Sequence, residues 1–305
     1  LVLMDAARLF LWEALSLTVM VLPYFALGVL LAGFLDVYGK GGAYRLRLRA
    51  DGLGAVALAT LAGALIPACS CGIVPLVTAL IAGGVPLAPA IAFLVSGPSI
   101  NPAVLSMTAG ALGVEIAAAR LVCTLALSMG AGTLTMVMLR HGWLRLERDL
   151  RPVERICPCA WAATPSTRGA ARFALAWLRA GEFFVGLAPY LAAGIVLGAA
   201  IAAATTPQWV ARHLTGPAAV PFAALAGAPL YICTCAEIPI TAPLMAQGMN
   251  PAAIVTFLLA GPGVSLFSFV LLASLFRVRL LLFYAGMFLA GSIALGFLAG
   301  PFLVR

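Results

Sequence analysis

The sequence predicts an all-α polytopic membrane protein built from two inverted-topology repeats with broken or re-entrant helices, about 8–10 membrane segments in all. Three observations predict it. The composition requires lipid as solvent, the chain resembles itself when shifted by 164 residues, and its apolar runs are interrupted at equivalent places in the two copies.

The 305 residues are 64% hydrophobic and 9% charged, where soluble domains are roughly 45–50% apolar and about 25% charged. Ten acidic side chains cannot solvate a body of this size, and a mean hydropathy of +1.12 calls for a lipid-facing exterior. Soluble enzyme classes are thereby excluded. The apolar runs are long and lack the period-two alternation of barrel strands, which argues against a β-barrel. A net charge of +8 does not indicate nucleic acid. The basic residues read as lying between apolar runs rather than in one patch, and so act as topology signals.

The shift of 164 places Cys69, Cys71 and Pro75 on Cys233, Cys235 and Pro239, Gly84 on Gly248, and Gly97-Pro98 on Gly261-Pro262. With a further slip of two, Pro23-Tyr24 falls on Pro189-Tyr190. Residues 1–139 form the first membrane repeat, 140–172 an Arg-rich cytoplasmic linker carrying Cys157-Pro-Cys159, and 173–305 the second repeat.

In the first repeat Leu9–Leu35 is long enough to cross and too long for a signal-peptide core. The stretch from Gly52 to Gly84 breaks at Pro67-Ala-Cys-Ser-Cys-Gly, leaving two arms each too short to span. Pro89–Gly110 has spanning length but is interrupted at Ser96-Gly-Pro-Ser-Ile-Asn-Pro, and Ile116–Leu139 reads as an ordinary crossing. The second repeat has its breaks at Tyr231-Ile-Cys-Thr-Cys-Ala-Glu and Ala260-Gly-Pro-Gly-Val-Ser.

Charge sets the orientation, because cytoplasmic loops are rich in Lys and Arg. The linker (Arg145, Arg148, Arg151, Arg155, Arg168) is placed inside. The loop before the first cysteine pair is basic (Lys40, Arg45, Arg47, Arg49), but its second-repeat counterpart holds only Arg212; Arg277 and Arg279 answer a stretch around Gly113–Glu115 with no basic residue. The bias swaps faces between the copies, as it must if each broken cysteine segment is a re-entrant hairpin and each repeat makes an odd number of crossings.

The candidate substrate site is Cys69, Cys71, Cys233 and Cys235, because non-helical backbone at mid-depth persists only where it is buried in protein or lines a cavity. Thiolates are soft donors that favour Cu(I), Zn(II) and related species. Small apolar packing is the competing role for cysteine. Glu237, an intramembrane carboxylate, is the candidate for coupling, as a proton carrier, a hard ligand or a base for a thiol proton; the bland alternative is a helix-end glutamate snorkelling to an interface. Ser96, Ser99, Asn101 and Ser265 are candidate pathway-lining groups at the interruptions, where half-helix ends expose polar backbone, although close helix packing explains small residues there equally well. Cys157 and Cys159 form a candidate auxiliary metal acceptor, with a redox sensor as the competing reading. Met245 and Met249 read as thioether stepping stones or filler, Tyr24 and Tyr190 as cavity-facing hydroxyls, and His141 and His213 as isolated interface residues rather than ligands.

The run Pro67-Ala-Cys-Ser-Cys-Gly-Ile-Val-Pro75, followed by Gly84-Val-Pro86, Phe93-Leu-Val-Ser-Gly-Pro98 and Asn101-Pro102 with an echo in the second half, resembles the predicted permease family that includes organoarsenical efflux permeases and proposed copper/zinc exporters. The resemblance covers nearly all of the chain outside the linker. It implies a multi-pass inner-membrane exporter of a thiophilic metal or trivalent (organo)metalloid. The expectation is thus a permease, not an enzyme, that works by alternating access. It needs no cofactor and has the bilayer, the metal or metalloid substrate and a cytoplasmic metal donor as partners. No ATP-binding Gly-x-x-x-x-Gly-Lys-[Ser/Thr] run is present, so an ion gradient or a partner protein would supply the energy. Uptake of a small sulfur-containing compound and membrane thiol-disulfide exchange are the rival readings.

Overall fold

Helices form wherever the sequence offers long apolar runs rich in Ala, Leu and Gly, since a lipid-exposed backbone must satisfy its own hydrogen bonds. The computed structural model describes residues 2–38, 52–66, 70–144, 150, 170–204, 219–227, 237–246 and 249–303. The first repeat holds α1 (Val2–Tyr38), α2 (Leu53–Leu65), α3 (Ser70–Ala82), α4 (Leu87–Ser99), α5 (Pro102–Leu112) and α6 (Val114–Arg140). The second holds α7 (Ala170–Ala204), α8 (Ala219–Gly227), α9 (Glu237–Ala246), α10 (Pro251–Val264), α11 (Leu266–Leu272) and α12 (Val278–Leu303). The starts of α4, α5 and α6 fall 164 residues before those of α10, α11 and α12, so the duplication read from the cysteines extends to the helix order.

The copies are inverted. Cys123 of α6 meets the Leu295 carbonyl of α12, and Leu127, one turn on, meets Gly291, one turn back, so these equivalent helices run antiparallel. The α1–α7 pair behaves likewise. Arg172 lies 5.2 Å from the Tyr38 ring centre, Phe173 packs edge-on to Phe34 at 5.5 Å, and Phe184 meets Phe25 at 5.6 Å. Arg140 and Arg172 close the helices flanking the linker. Leu150, within the linker, bridges to Phe276, which brings Arg277 and Arg279 to the same face. Arg140, Arg172, Arg277 and Arg279 thus lie on the linker side.

The termini place each element between the faces. Gly52, before α2, and Pro86-Leu87, opening α4, line one cavity with Arg140, so α2 and α3 enter and leave on the linker side. This is the re-entrant hairpin. Helices α6, α12 and the Pro251–Leu272 pair are each long and apolar enough to cross, as are α4 and α5 taken together across a 42° bend. At about 1.5 Å per residue, α1 and α7 are roughly 55 and 52 Å long, more than the ~30 Å hydrocarbon core requires.

Burial separates the centre from the periphery. In the Pro251–Leu272 segment 88% of the most apolar window is buried, against 39% in α6 and 33% in α12. Every residue of α4 is buried, as is α10 from Ala252 to Val264, which suits helices that are apolar all round. The two apolar clusters do not coincide with the two repeats. One joins α3 (Ile73, Val77) to α11 and α12 (Leu271, Tyr284, Phe288), whereas the other joins α8 and α9 (Val220, Ile238) to α5 and α6 (Val104, Ile116). Each hairpin therefore shares an apolar cluster with the last two helices of the other repeat.

Candidate functional site

The interruption in α4–α5 is shorter than the sequence suggests. Ser96-Gly-Pro-Ser stays helical because Pro98 lies in the last turn, and the chain departs from helix only at Ile100 and Asn101. Asn101 then starts α5, its side-chain oxygen accepting from the Val104 N–H at 2.8 Å with Pro102 at the first helical position. In α10 the Gly261-Pro-Gly263 run is likewise helical, and Ser265 caps α11 by accepting from the Ser268 N–H at 3.3 Å. Ser96 and Ser99 donate to the Phe93 and Val95 carbonyls at 3.3 and 3.1 Å. All four residues are buried, and their side chains serve the helix ends. Replacing Asn101 by Ala is expected to remove about 1 kcal/mol of stability, read as a lowered unfolding midpoint in detergent; an unchanged midpoint would show that the cap is supplied otherwise.

A break leaves carbonyls at the end of α4 without helical partners, and the negative end of the half-helix dipole attracts a cation. Arg120 fills this role. Lying within α6 at 0% exposure, it donates from Nε to the Ser99 carbonyl at 3.0 Å and from Nη1 to Thr108 Oγ1 of α5 at 3.2 Å. Its Nη2 donates to Glu237 Oε2, also at 3.2 Å, forming an ion pair with both side chains at 0% exposure. Glu237 is the first residue of α9, where the positive helix end favours a carboxylate. One guanidinium thus ties both arms of the broken helix in the first repeat to the second-repeat hairpin.

The carboxylate also has a built seat. A Cβ placed on Gly261 would collide with Glu237 Oε1, just as one on Gly97 would collide with Cδ1 of Ile73, the residue that corresponds to Glu237. The same hairpin-on-helix contact is therefore apolar in one repeat and charged in the other. Glu237 is not a helix-end residue reaching for an interface.

Arg120 was not anticipated from the sequence, and it corrects the reading that basic residues lie between apolar runs: Arg120 and Arg179 both sit within helices and are buried. Arg179 pairs with Glu182 at 3.2 Å on α7. Cys69, Cys233, Cys235, Cys157 and Cys159 lie outside the described residues, and Cys71 is described only as part of the first turn of α3. In sequence, Cys69 is the last residue of the gap between α2 and α3 and Cys71 the second residue of α3, while Cys233 and Cys235 fall in the gap between α8 and α9, with Cys235 two residues before Glu237. Among the described residues no three His, Cys, Asp or Glu side chains converge as a metal site. Met249 is buried, Met245 is exposed, Tyr190 is partly buried, and His141 is exposed at the end of α6; His213 and the Tyr24 side chain lie outside the description.

Two inverted repeats with interrupted helices, joined through buried polar groups at the interruptions, define the class of membrane permeases. The chain belongs to the predicted permease family, which it matches over residues 7–300. It is 28% identical over 279 residues to the "Putative two-component membrane permease complex subunit" of Streptococcus mutans, covering 89% of this chain and 88% of that protein. It is also 30% identical over 236 residues to the UPF0718 protein YraQ of Escherichia coli K12, covering 76% and 63% of the two chains. Its similarity to the UPF0718 protein MJ0584 of Methanocaldococcus jannaschii is 25% over 298 residues, covering 81% and 82%. No solved structure matches the chain. It is a multi-pass membrane permease.

Proposed function

We propose that this permease exports a thiophilic metal ion or trivalent (organo)metalloid by alternating access, with Cys69, Cys71, Cys233 and Cys235 as sulfur donors. The observation that supports the reading is the sequence position of the two pairs relative to the helices. Cys69 and Cys71 flank the start of α3, Cys233 and Cys235 lie in sequence between α8 and α9, and these helices are equivalent parts of inverted repeats. Inverted-repeat transporters bind substrate where helix breaks meet near the midplane. Soft sulfur donors select soft cations over Mg or Ca, and coordination releases the thiol protons. In this reading Glu237 couples substrate movement to conformation through its ion pair with Arg120, rather than as an isolated proton carrier. Cys157 and Cys159 take metal from a cytoplasmic donor. The name of the streptococcal relative, a putative subunit of a two-component membrane permease complex, supports a second component working with this chain.

The test is the affinity of the purified full-length protein for Cu(I), Zn(II) and methylarsenite, with and without Cys69→Ser/Cys233→Ser. The double variant is expected to bind about tenfold more weakly or worse, equivalent to at least ~1.4 kcal/mol. Undiminished binding of all three species would overturn the shared sulfur site.

A further inference from the structure

We infer that Arg120 and Glu237 form a one-sided latch, which shuts the permease on the face opposite the linker and leaves it open towards the linker. The consequence for transport rests on the alternating-access reading above; the latch itself is argued from differences between the repeats. An inverted repeat supplies each gating contact twice, once per face, so a contact present in one copy only decides which face is closed.

On the far face, the α8–α9 hairpin is fixed through Glu237 to Arg120, and through Arg120 to the Ser99 carbonyl and to Thr108. The corresponding pair on the linker face is Ile73 of α3 and Tyr284 of α12. Both are buried in one apolar cluster and carry no charge. Among the described residues the linker-side hairpin therefore shows no counterpart of that link.

The feet of the hairpins differ in the same direction. At the linker side a cavity of about 600 Å³ opens between α2, α4 and α6, lined by Gly52, Val56, Ala88, Met136, Arg140 and Leu144. On the far side, Gly300 and Ala252 occupy the positions of Met136 and Ala88. There the helices approach so closely that a Cβ on Gly300 would lie 3.0 Å from the Ala252 Cβ. The ion pair and the Gly300–Ala252 contact hold the far hairpin and the helices at its foot, where the linker face has apolar side chains and Met136; a second cavity of about 400 Å³ on the far side is lined by α6 and α12 alone and does not reach the foot of the hairpin. To open the far face, α9 must part from α6, which requires Arg120 and Glu237 to separate. Glu237 lies two residues after Cys235. The state of the latch therefore bears on the segment that leads into the second sulfur pair.

The experiment uses the full-length chain with its seven native cysteines replaced by serine and a single cysteine introduced by Ala88→Cys or Ala252→Cys. Each form is labelled with a membrane-impermeant maleimide in vesicles of both orientations. Ala88→Cys is expected to react from the linker side and Ala252→Cys to be protected. Glu237→Gln, which keeps shape and volume, is expected to raise Ala252→Cys labelling about tenfold by shifting the population towards the far-open state. The mirror variant Arg120→Tyr/Glu237→Ile/Ile73→Glu/Tyr284→Arg is expected to reverse the pattern, with Ala252→Cys reactive and Ala88→Cys protected. Equal labelling of the two positions in the parent, or no change on Glu237→Gln, would overturn the latch even if the mirror variant failed to fold. Labelling needs no substrate, so a failed metal-affinity test leaves this result standing, and the reverse also holds.

Discussion

Arg120→Ala is expected to destabilise the protein by about 3–5 kcal/mol, among the largest effects of any single substitution in the molecule. The residue lies at 0% exposure, and its removal strips donors from the Ser99 carbonyl, from Thr108 and from the equally buried Glu237. Most of the loss comes from leaving a carboxylate in a low-dielectric interior without its cation, not from the intrinsic strength of the pair. Removing both charges with Arg120→Met/Glu237→Leu should therefore recover much of the stability that the single change loses. A double-mutant cycle on the unfolding midpoint in detergent measures the coupling directly. A loss below about 1 kcal/mol for Arg120→Ala would place the pair in the solvated class, reached by water despite its burial.

The repeat, the helix order and the inversion were legible in the sequence because they leave periodic traces. A cysteine pair, a proline or a Gly-Pro step recurs at a fixed spacing, and the basic residues change sides. The hairpin on the linker face follows from the same logic and is where Gly52 and Pro86 share a cavity. The ion pair was only half legible. Glu237 stands out as a carboxylate in an apolar stretch, whereas Arg120 lies within a run that reads as an ordinary crossing, and its partner is 117 residues away. A usable signal did exist. Under the shift that aligns the repeats, Glu237 falls on Ile73 and Arg120 on Tyr284, so both members of the pair break the internal symmetry. Departures from a duplication mark the places where the copies have taken different tasks, and here two such departures touch each other.

The exact limits of the interruptions were not legible, for a local reason. A Ser-Gly-Pro-Ser run looks like a break because proline forbids one intrahelical hydrogen bond, yet Pro98 in a final turn costs little, as the helix ends at Ser99. The cores were not legible either, because each is assembled across the repeats: Ile73 with Tyr284 in one, Ile238 with Val104 in the other. This interlocking means that a hairpin cannot move without changing its contacts to the opposite repeat, and the conformational coupling follows from the packing.

Gly28→Ala tests that coupling from outside the ion pair and is expected to cost about 1–3 kcal/mol. Helix α1 crosses α3 where Gly28 faces Gly72. A Cβ on Gly28 would run into the Gly72 Cα and would lie 2.8 Å from its carbonyl carbon. These are backbone atoms in the first turn of a buried helix, so they cannot swing aside as a long side chain can, and the two helices must separate. In a membrane, where association depends on close packing rather than on water exclusion, such small-residue crossings carry much of the contact. Gly110→Ala is the matched control, since nothing lies within 4 Å of its added methyl, and its effect should stay within about 0.5 kcal/mol. Gly72 directly follows Cys71. The displacement therefore falls on the turn that carries Cys71, and under the proposed sulfur site Cu(I) affinity measured on the same preparation should fall along with the unfolding midpoint. A lowered midpoint with unchanged affinity would mean that α1 supports the hairpin without setting the geometry of the proposed donors.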